Sequence, residues 1–258
     1  MNHLLKADFY RLFRSKFYYI LVGVAFLLAV LTFALYMAIV RFASAEAQLQ
    51  IGAMTAEDFQ KFSFDGTVGY CAAIAAAIFI CGDYAGGGIR NKVLTGCGRK
   101  DIYLSKLVAV TFVSVCVYLA TQLVVFVCGS IGFGWEGASA YDVASRFAAG
   151  LFLAAASGAV FTAISMLSEK LSLSLIVSIV LLFTLSLVMS LLTVAQVYFG
   201  SKAFDWFVRV FGWLTPMGQV TLLMGGSHDY WIMSAFSCAW ILLSVFVFSR
   251  GFQRRDLK

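Results

Sequence analysis

The stretch GDYAGGGIRNKVLTGCGRKDIYLSKL, residues 82–107, decides how the chain is folded. Apolar runs flank it, Thr67–Cys81 before it and Ile102–Phe133, which begins within its last six residues, after it. Its glycines and basic side chains interrupt what would otherwise be one apolar segment. The flanking runs therefore read as two membrane crossings joined by a polar, basic turn.

The composition extends that reading to the whole chain. Of 258 residues, 62% are hydrophobic and 12% charged; a soluble domain carries about 45–50% and about 25%. No core hides such an excess, so lipid is the solvent for much of the chain. A single proline lets long helices run unbroken. The apolar runs are continuous and do not alternate with period two, which excludes a β-barrel. Crossing a bilayer as a helix takes roughly 20 mostly apolar residues. Six segments qualify: Phe17–Val40, Thr67–Cys81, Ile102–Phe133, Val143–Ser168, Leu171–Tyr198 and Trp231–Ser249. The second is short unless it borrows from Phe64–Gly66, and Glu169-Lys170 forces the fourth and fifth into a tight hairpin. With no repeat, linker or second domain, residues 1–258 read as a single all-α membrane domain.

The positive-inside rule orients it. If the N-terminus is cytoplasmic, 14 of the 19 Lys and Arg lie inside. They fall in the first sixteen residues, the 82–107 turn (Lys106 included), Lys170 and the basic ending with Arg250, Arg254, Arg255 and Lys258. Only Arg41, Lys61, Arg146, Lys202 and Arg209 fall outside. Both termini are then cytoplasmic, and the net charge of +6 belongs to the inner membrane surface and its lipids rather than to nucleic acid, for which no motif is present. Ala43-Ser44-Ala45 resembles a signal-peptidase site, but the preceding apolar run exceeds the roughly 7–15 residues of a signal-peptide core, so the first helix is expected to be retained. The six cysteines form no CxxC pair and read as small reduced core residues.

Three segments outside the spans have a periodic or broken character. In the first sixteen residues, Leu5, Phe9, Leu12 and Phe13 share one helical face while Arg11 and Arg14 point away, which predicts a helix lying in the membrane interface. Thr55-Ala-Glu-Asp58, in the outside loop that also holds Glu46, fits a capping box. FVRVFGWLTPMGQVTLLMGG, residues 207–226, is apolar yet too broken to span, and predicts a re-entrant or interfacial pair of short helices around Pro216 and Gly218.

Chemistry finds little support. Gly82 and Gly87 have the first spacing of a Walker A loop, but Gly88 and Ile89 stand where Lys and Ser/Thr are needed to reach phosphates. Gly86–Gly88 lacks the third glycine of a dinucleotide fingerprint. The two histidines, His3 and His228, lie outside the spans, and no HExxH is present, so neither a zinc site nor a catalytic dyad is expected. No span carries a central Asp, Glu, Lys or Arg to mark an ion path. Gln122 and Gln196 read as helix–helix hydrogen bonders. A mechanical role remains for the turn. Ile89–Thr95 makes a short helix across the cytoplasmic mouth, with Ile89, Val93 and Leu94 apolar and Arg90, Asn91 and Lys92 as donors; the alternative is a loop that only fixes topology.

Ile89-Arg90-Asn91-Lys92, followed by Gly98-Arg99 and by Ile102-Tyr103 with Lys106, resembles the first cytoplasmic loop of ABC-2 type transporter permeases. The opening LLKADFYRLFRSKFYYI, the WLTPMGQ turn and the FQRRDLK ending agree with it, whereas Asp83 is displaced by one position from the usual Glu and Gly88 replaces Thr. The resemblance implies a coupling helix. Asp83, Gly87, Gly88, Ile89, Arg90, Asn91, Lys92, Val93, Leu94, Gly98 and Arg99 would then form the docking region for a separate ATP-binding subunit. In that picture Ile89, Val93 and Leu94 enter its groove, and Arg90, Lys92 and Arg99 meet its acidic surface. The chain itself would carry no cofactor and catalyse nothing, with ATP and Mg on the partner. A second permease, identical or a sister, would complete an exporter in a bacterial cell membrane, of the kind that moves antimicrobial peptides, lantibiotics or drugs. Two other classes stay open: a membrane anchor or sensory module for resistance or signalling, and an ion-coupled carrier.

Overall fold

The computed structural model describes residues 2–42, 55–135, 138–248 and 250–251. The Ala43-Ser44-Ala45 and Glu46 segment and the ending with Arg254, Arg255 and Lys258 lie outside the described residues. Among the described residues every regular element is a helix, and six helical stretches are long and apolar enough to cross a membrane.

α1 (Asn2–Arg14) leads into the first long helix, α2 (Lys16–Phe42). α3 (Ala56–Phe62) starts at Thr55 with both arms of the expected capping box: the Asp58 amide donates to Thr55 Oγ1 and the Thr55 amide to Asp58 Oδ2, each at 3.3 Å. α4 (Thr67–Ala76) continues through a π-helical turn, Ala77–Cys81, into Gly82–Ala85. The short helix α5 (Gly88–Leu94) precedes α6 (Arg99–Gly132), and α7 (Ala140–Ser168) turns at Glu169-Lys170 into α8 (Leu171–Phe199). α9 (Lys202–Leu214) and α10 (Pro216–Met224) form a short pair before α11 (Tyr230–Leu243), which ends in a second π turn, Ser244–Phe248.

The long helices alternate in direction, as cross-helix contacts show. Tyr118 on α6 donates to the Phe147 carbonyl on α7 (2.9 Å), while Tyr84 at the end of α4 donates to the Met166 carbonyl near the end of α7 (3.1 Å). Tyr103 near the start of α6 bonds the Ser244 hydroxyl near the end of α11 (2.8 Å). Lys16, Ala85, Arg99, Ser168 and Leu171 share one end of the bundle, the basic end by the charge distribution of the sequence.

α4, α6 and α7 form the centre, and α2 and α8 flank it with broad apolar faces (Leu27, Leu31 and Leu35; Ile176, Val180 and Phe183) left to lipid. Small residues bring α6 and α7 together, the mechanism membrane helices use when lipid removes the hydrophobic drive. A Cβ on Gly158 would lie 2.9 Å from the Thr111 Cα and 2.8 Å from Ser114 Oγ, whereas one on Gly23 of α2 would meet nothing within 4 Å. Gly158→Leu is thus expected to destabilise the protein by about 1–3 kcal/mol. Gly23→Leu should be neutral; thermal unfolding of the two variants in detergent checks the contrast.

The α9–α10 pair reaches far into the bundle. Trp240 Nε1 donates to the Leu214 carbonyl at 2.7 Å, and Ser237 donates to Gln219 Oε1 at 2.7 Å. Trp240 lies ten residues along α11 from Tyr230, so the turn at Leu214–Pro216 is about 15 Å below that helix start. The turn's polar backbone is kept supplied at that depth. Thr215 caps α10 by accepting from the Gly218 amide, Pro216 opens the helix where no amide is needed, and Gln219 Nε2 donates to the Trp213 carbonyl. Gly218 allows the close approach: a Cβ there would stand 2.6 Å from the Gly212 Cα.

Candidate functional site

At the basic end the chain builds a compact group of buried charges. Asp8 on α1, Asp83 on the end of α4 and Lys106 on α6 are all buried. Lys106 Nζ sits between the two acids, 2.9 Å from Asp8 Oδ1 and in an ion pair with Asp83 Oδ2. Arg11 closes on Asp83 from the surface, and Lys92 of α5 reaches Asp8 Oδ1 at 2.7 Å. Ser105 donates to the other Asp8 oxygen at 2.5 Å. Lys106 also lies 4.0 Å from the centroid of the Phe79 ring, on the π turn of α4. Burial by itself raises the Asp8 carboxyl pKa, but the Lys106 charge and the bonds from Lys92, Ser105 and Lys106 outweigh it, so Asp8 is held below the ordinary carboxylate value.

The sequence places these groups for identifiable reasons. Asp8 is three residues after Leu5 and four before Leu12, which puts a carboxylate on the apolar face of α1. That face packs on α6, with Phe9 and Phe13 ring centroids 5.2 and 5.8 Å from Phe112. The π turn inserts about one residue into α4 and so rotates the helix beyond Cys81 by about 100° relative to an α-helical register. Asp83, on the helix after that turn, meets Lys106.

α5 is fastened to this group and to the core. Gly87 adopts φ +67°, the left-handed turn that starts the helix and that a side chain would strain. Ile89 is completely buried in the main core, and Val93 packs partly against it. Arg90, Asn91 and Leu94 are exposed. The expected apolar stripe of Ile89, Val93 and Leu94 is thus divided: Ile89 anchors the helix within its own chain, and Leu94 faces out. Lys92, expected to meet a partner's acidic surface, is committed to Asp8. Gly98 stands before α6 in an extended conformation, and Gly88 packs beside Asp83. Arg99 is half-exposed at the start of α6.

Two expectations for the N-terminal helix are redistributed in the same way. Arg14 is exposed and bonds Tyr10, whereas Arg11, expected to point away, pairs with Asp83 because a buried carboxylate recruits the nearest cation. Leu12 is buried, Leu5 and Phe9 are partly so, and Phe13 remains exposed. The second span does not stop at Cys81; neutralised by Lys106 and Arg11, Asp83 is carried inside the helix, which ends at Ala85.

A second buried charge lies at the opposite end. Arg146 of α7 has no exposed surface and donates to Gln60 Oε1 (3.2 Å), Glu57 Oε1 (3.2 Å) and the Tyr230 hydroxyl (3.0 Å). It joins α3, α7 and α11. Gln122 also bridges elements, donating to Ser63 Oγ at 3.0 Å.

A comparison with curated proteins finds no match. A family model described as ABC-2 family transporter protein matches residues 4–189, from α1 through α5 and into α8. That match takes in the buried ionic group, the 82–107 turn, four of the six spanning helices and most of a fifth, well over half of the chain, and the chain belongs to the ABC-2 transporter family.

Proposed function

We propose that this chain is the membrane-spanning permease subunit of an ATP-driven exporter, with α5 as the helix through which a separate ATP-binding subunit moves it. A family of this kind works with an ATP-binding partner in general. The observation that carries the reading is the mounting of α5. Ile89 fixes it in the core and Lys92 ties it to Asp8, the carboxylate that also contacts Lys106 of α6. Asp83 at the end of α4 shares Lys106, so a displacement of α5 is delivered to the heads of α4 and α6 as one body. Arg90, Asn91 and Leu94 remain free to be gripped.

In this reading the basic end is cytoplasmic, as are both termini, and the protein sits in a bacterial cell membrane. Closure of two ATP-binding subunits on ATP and Mg pulls α5 and tilts α4 and α6, switching the access of the pathway in a rigid-body transition. Two permeases, identical or sisters, form that pathway and move a peptide, a lantibiotic or a drug outward. ATP hydrolysis belongs to the partner.

Copurification with an ATP-binding chain encoded in the neighbouring reading frame tests the docking. Arg90→Glu with Leu94→Asp is expected to abolish capture while leaving expression and monodispersity unchanged, because both side chains are exposed and neither has a partner among the described residues. Full capture by that variant overturns the assignment of α5. Efflux that follows a proton or sodium gradient and ignores ATP depletion would establish an ion-coupled carrier instead.

A further inference from the structure

The bundle contains a cavity of about 250 Å³ that the mechanical reading does not use. It lies between α4, α7, α8, α10 and α11, and its walls include Leu153, Ala154, Leu182, Leu185, Met217 and Trp240. Ala154 and Leu185 are the central residues of α7 and α8, so the cavity sits halfway along the spans. The re-entrant turn supplies one side of it through Thr215, Pro216 and Met217.

Its few polar wall groups are already used. Ser157 donates to the Leu153 and Ala154 carbonyls, Ser63 to the Gln60 carbonyl, Tyr118 to the Phe147 carbonyl and Trp240 to the Leu214 carbonyl. Thr215 Oγ1 donates to the Phe211 carbonyl and accepts from the Gly218 amide. The side-chain protons of these groups are therefore spent, and only a few hydroxyl lone pairs interrupt an otherwise apolar wall, which favours an apolar occupant. An apolar cavity of ~150 Å³ already stays dry and accepts a small hydrocarbon, and this one is larger. It also reaches the outer face of the bundle. Leu181 lines it and is exposed on the lipid-facing side of α8.

We propose that this mid-membrane cavity is a binding site for the end of a hydrocarbon chain, which enters laterally past Leu181 and lies against α7 under the Thr215–Met217 turn. The chain belongs either to a bilayer lipid or to a single-chain amphiphile, and the assignment does not depend on the direction of transport or on α5.

Photocrosslinking on the full chain in lipid nanodiscs separates these. One probe is phosphatidylcholine with a diazirine near the end of one acyl chain; the other is a fatty acid carrying the same group. Adducts are mapped by mass spectrometry at Leu153, Ala154 and Met217, with Leu27 and Leu31 of α2 as lipid-facing references. Both cavity labelling and reference labelling are expected in the unaltered chain. Ala154→Phe, which fills the cavity from α7, should lower the adducts at Leu153 and Met217 at least tenfold while reference labelling holds. Val220→Phe fills it from α10 and gives the same reading should the α7 variant not fold. Cavity labelling by both probes assigns bilayer lipid, and labelling by the fatty acid alone assigns a single-chain amphiphile. Absence of cavity adducts with both probes, or adducts unchanged in every folded filling variant, overturns the site.

Discussion

Lys106→Ala is expected to cost more stability than any other single change at the basic end. The substitution leaves two buried carboxylates, Asp8 and Asp83, facing each other across an empty position, with Lys92 and Arg11 reaching them only from the surface side. Removing one partner of a buried ionic group typically costs about 3–5 kcal/mol, because the remaining charge is uncompensated. The same principle gives a rescue: Lys106→Met combined with Asp8→Asn and Asp83→Asn removes the charges together and should recover most of the loss. A thermal unfolding series in detergent reads both; equal loss in the single and triple variants would mean that Lys106 acts by shape alone. Acid has a smaller, signed effect. The folded carboxyl of Asp8 lies below the ordinary value of 3.8. Its contribution is therefore in place above that value and is lost only as pH falls below it, through the lowered folded value. Asp8→Asn should flatten the acid side of a stability profile and leave the neutral side displaced but parallel.

The spans and the turn between the second and third were legible because each rests on a run of residues. Continuous apolar runs admit one solvent and one backbone solution, and Gly87 marks where the chain must take a left-handed turn. The capping box at Thr55 was legible because its two arms are local. Pairings between distant elements were not. Asp8 and Lys106 are 98 positions apart, and Lys106 counted as one more loop cation, although a carboxylate between Leu5 and Leu12 on one helical face already indicated a buried partner. Ile89 looked like a docking residue for the same reason: three apolar residues on a seven-residue helix do not say which of them the chain keeps for its own core. The end of the second span moved because a π turn and two cations make Asp83 compatible with a helix. A π turn has no residue signature in AIFIC.

Arg146→Ala discriminates between two roles for the same charge with opposite signs. As a topological signal, a cation outside the cytoplasmic side opposes insertion, so its removal would be neutral or beneficial. As a structural group, Arg146 is wholly buried and ties its own helix to two others, α3 and α11. Its loss leaves the fully buried Gln60 carbonyl and the Tyr230 hydroxyl without their donor and Glu57 without its closest cation. The expected result is a loss of about 3–5 kcal/mol, seen as a lower Tm and earlier proteolysis between α3 and α4. Arg146→Lys should recover only part of this, because one ammonium cannot match the two-armed guanidinium that reaches Gln60 with one nitrogen and Glu57 and Tyr230 with the other. Glu57→Gln should be the mildest of the three. Glu57 is partly exposed, and it already shares Lys61 at 3.3 Å. The ranking is the decisive readout: Arg146→Ala below Arg146→Lys below Glu57→Gln identifies a clamp that holds α3 and α11 against α7, and an Arg146→Ala protein as stable as the parent removes the clamp.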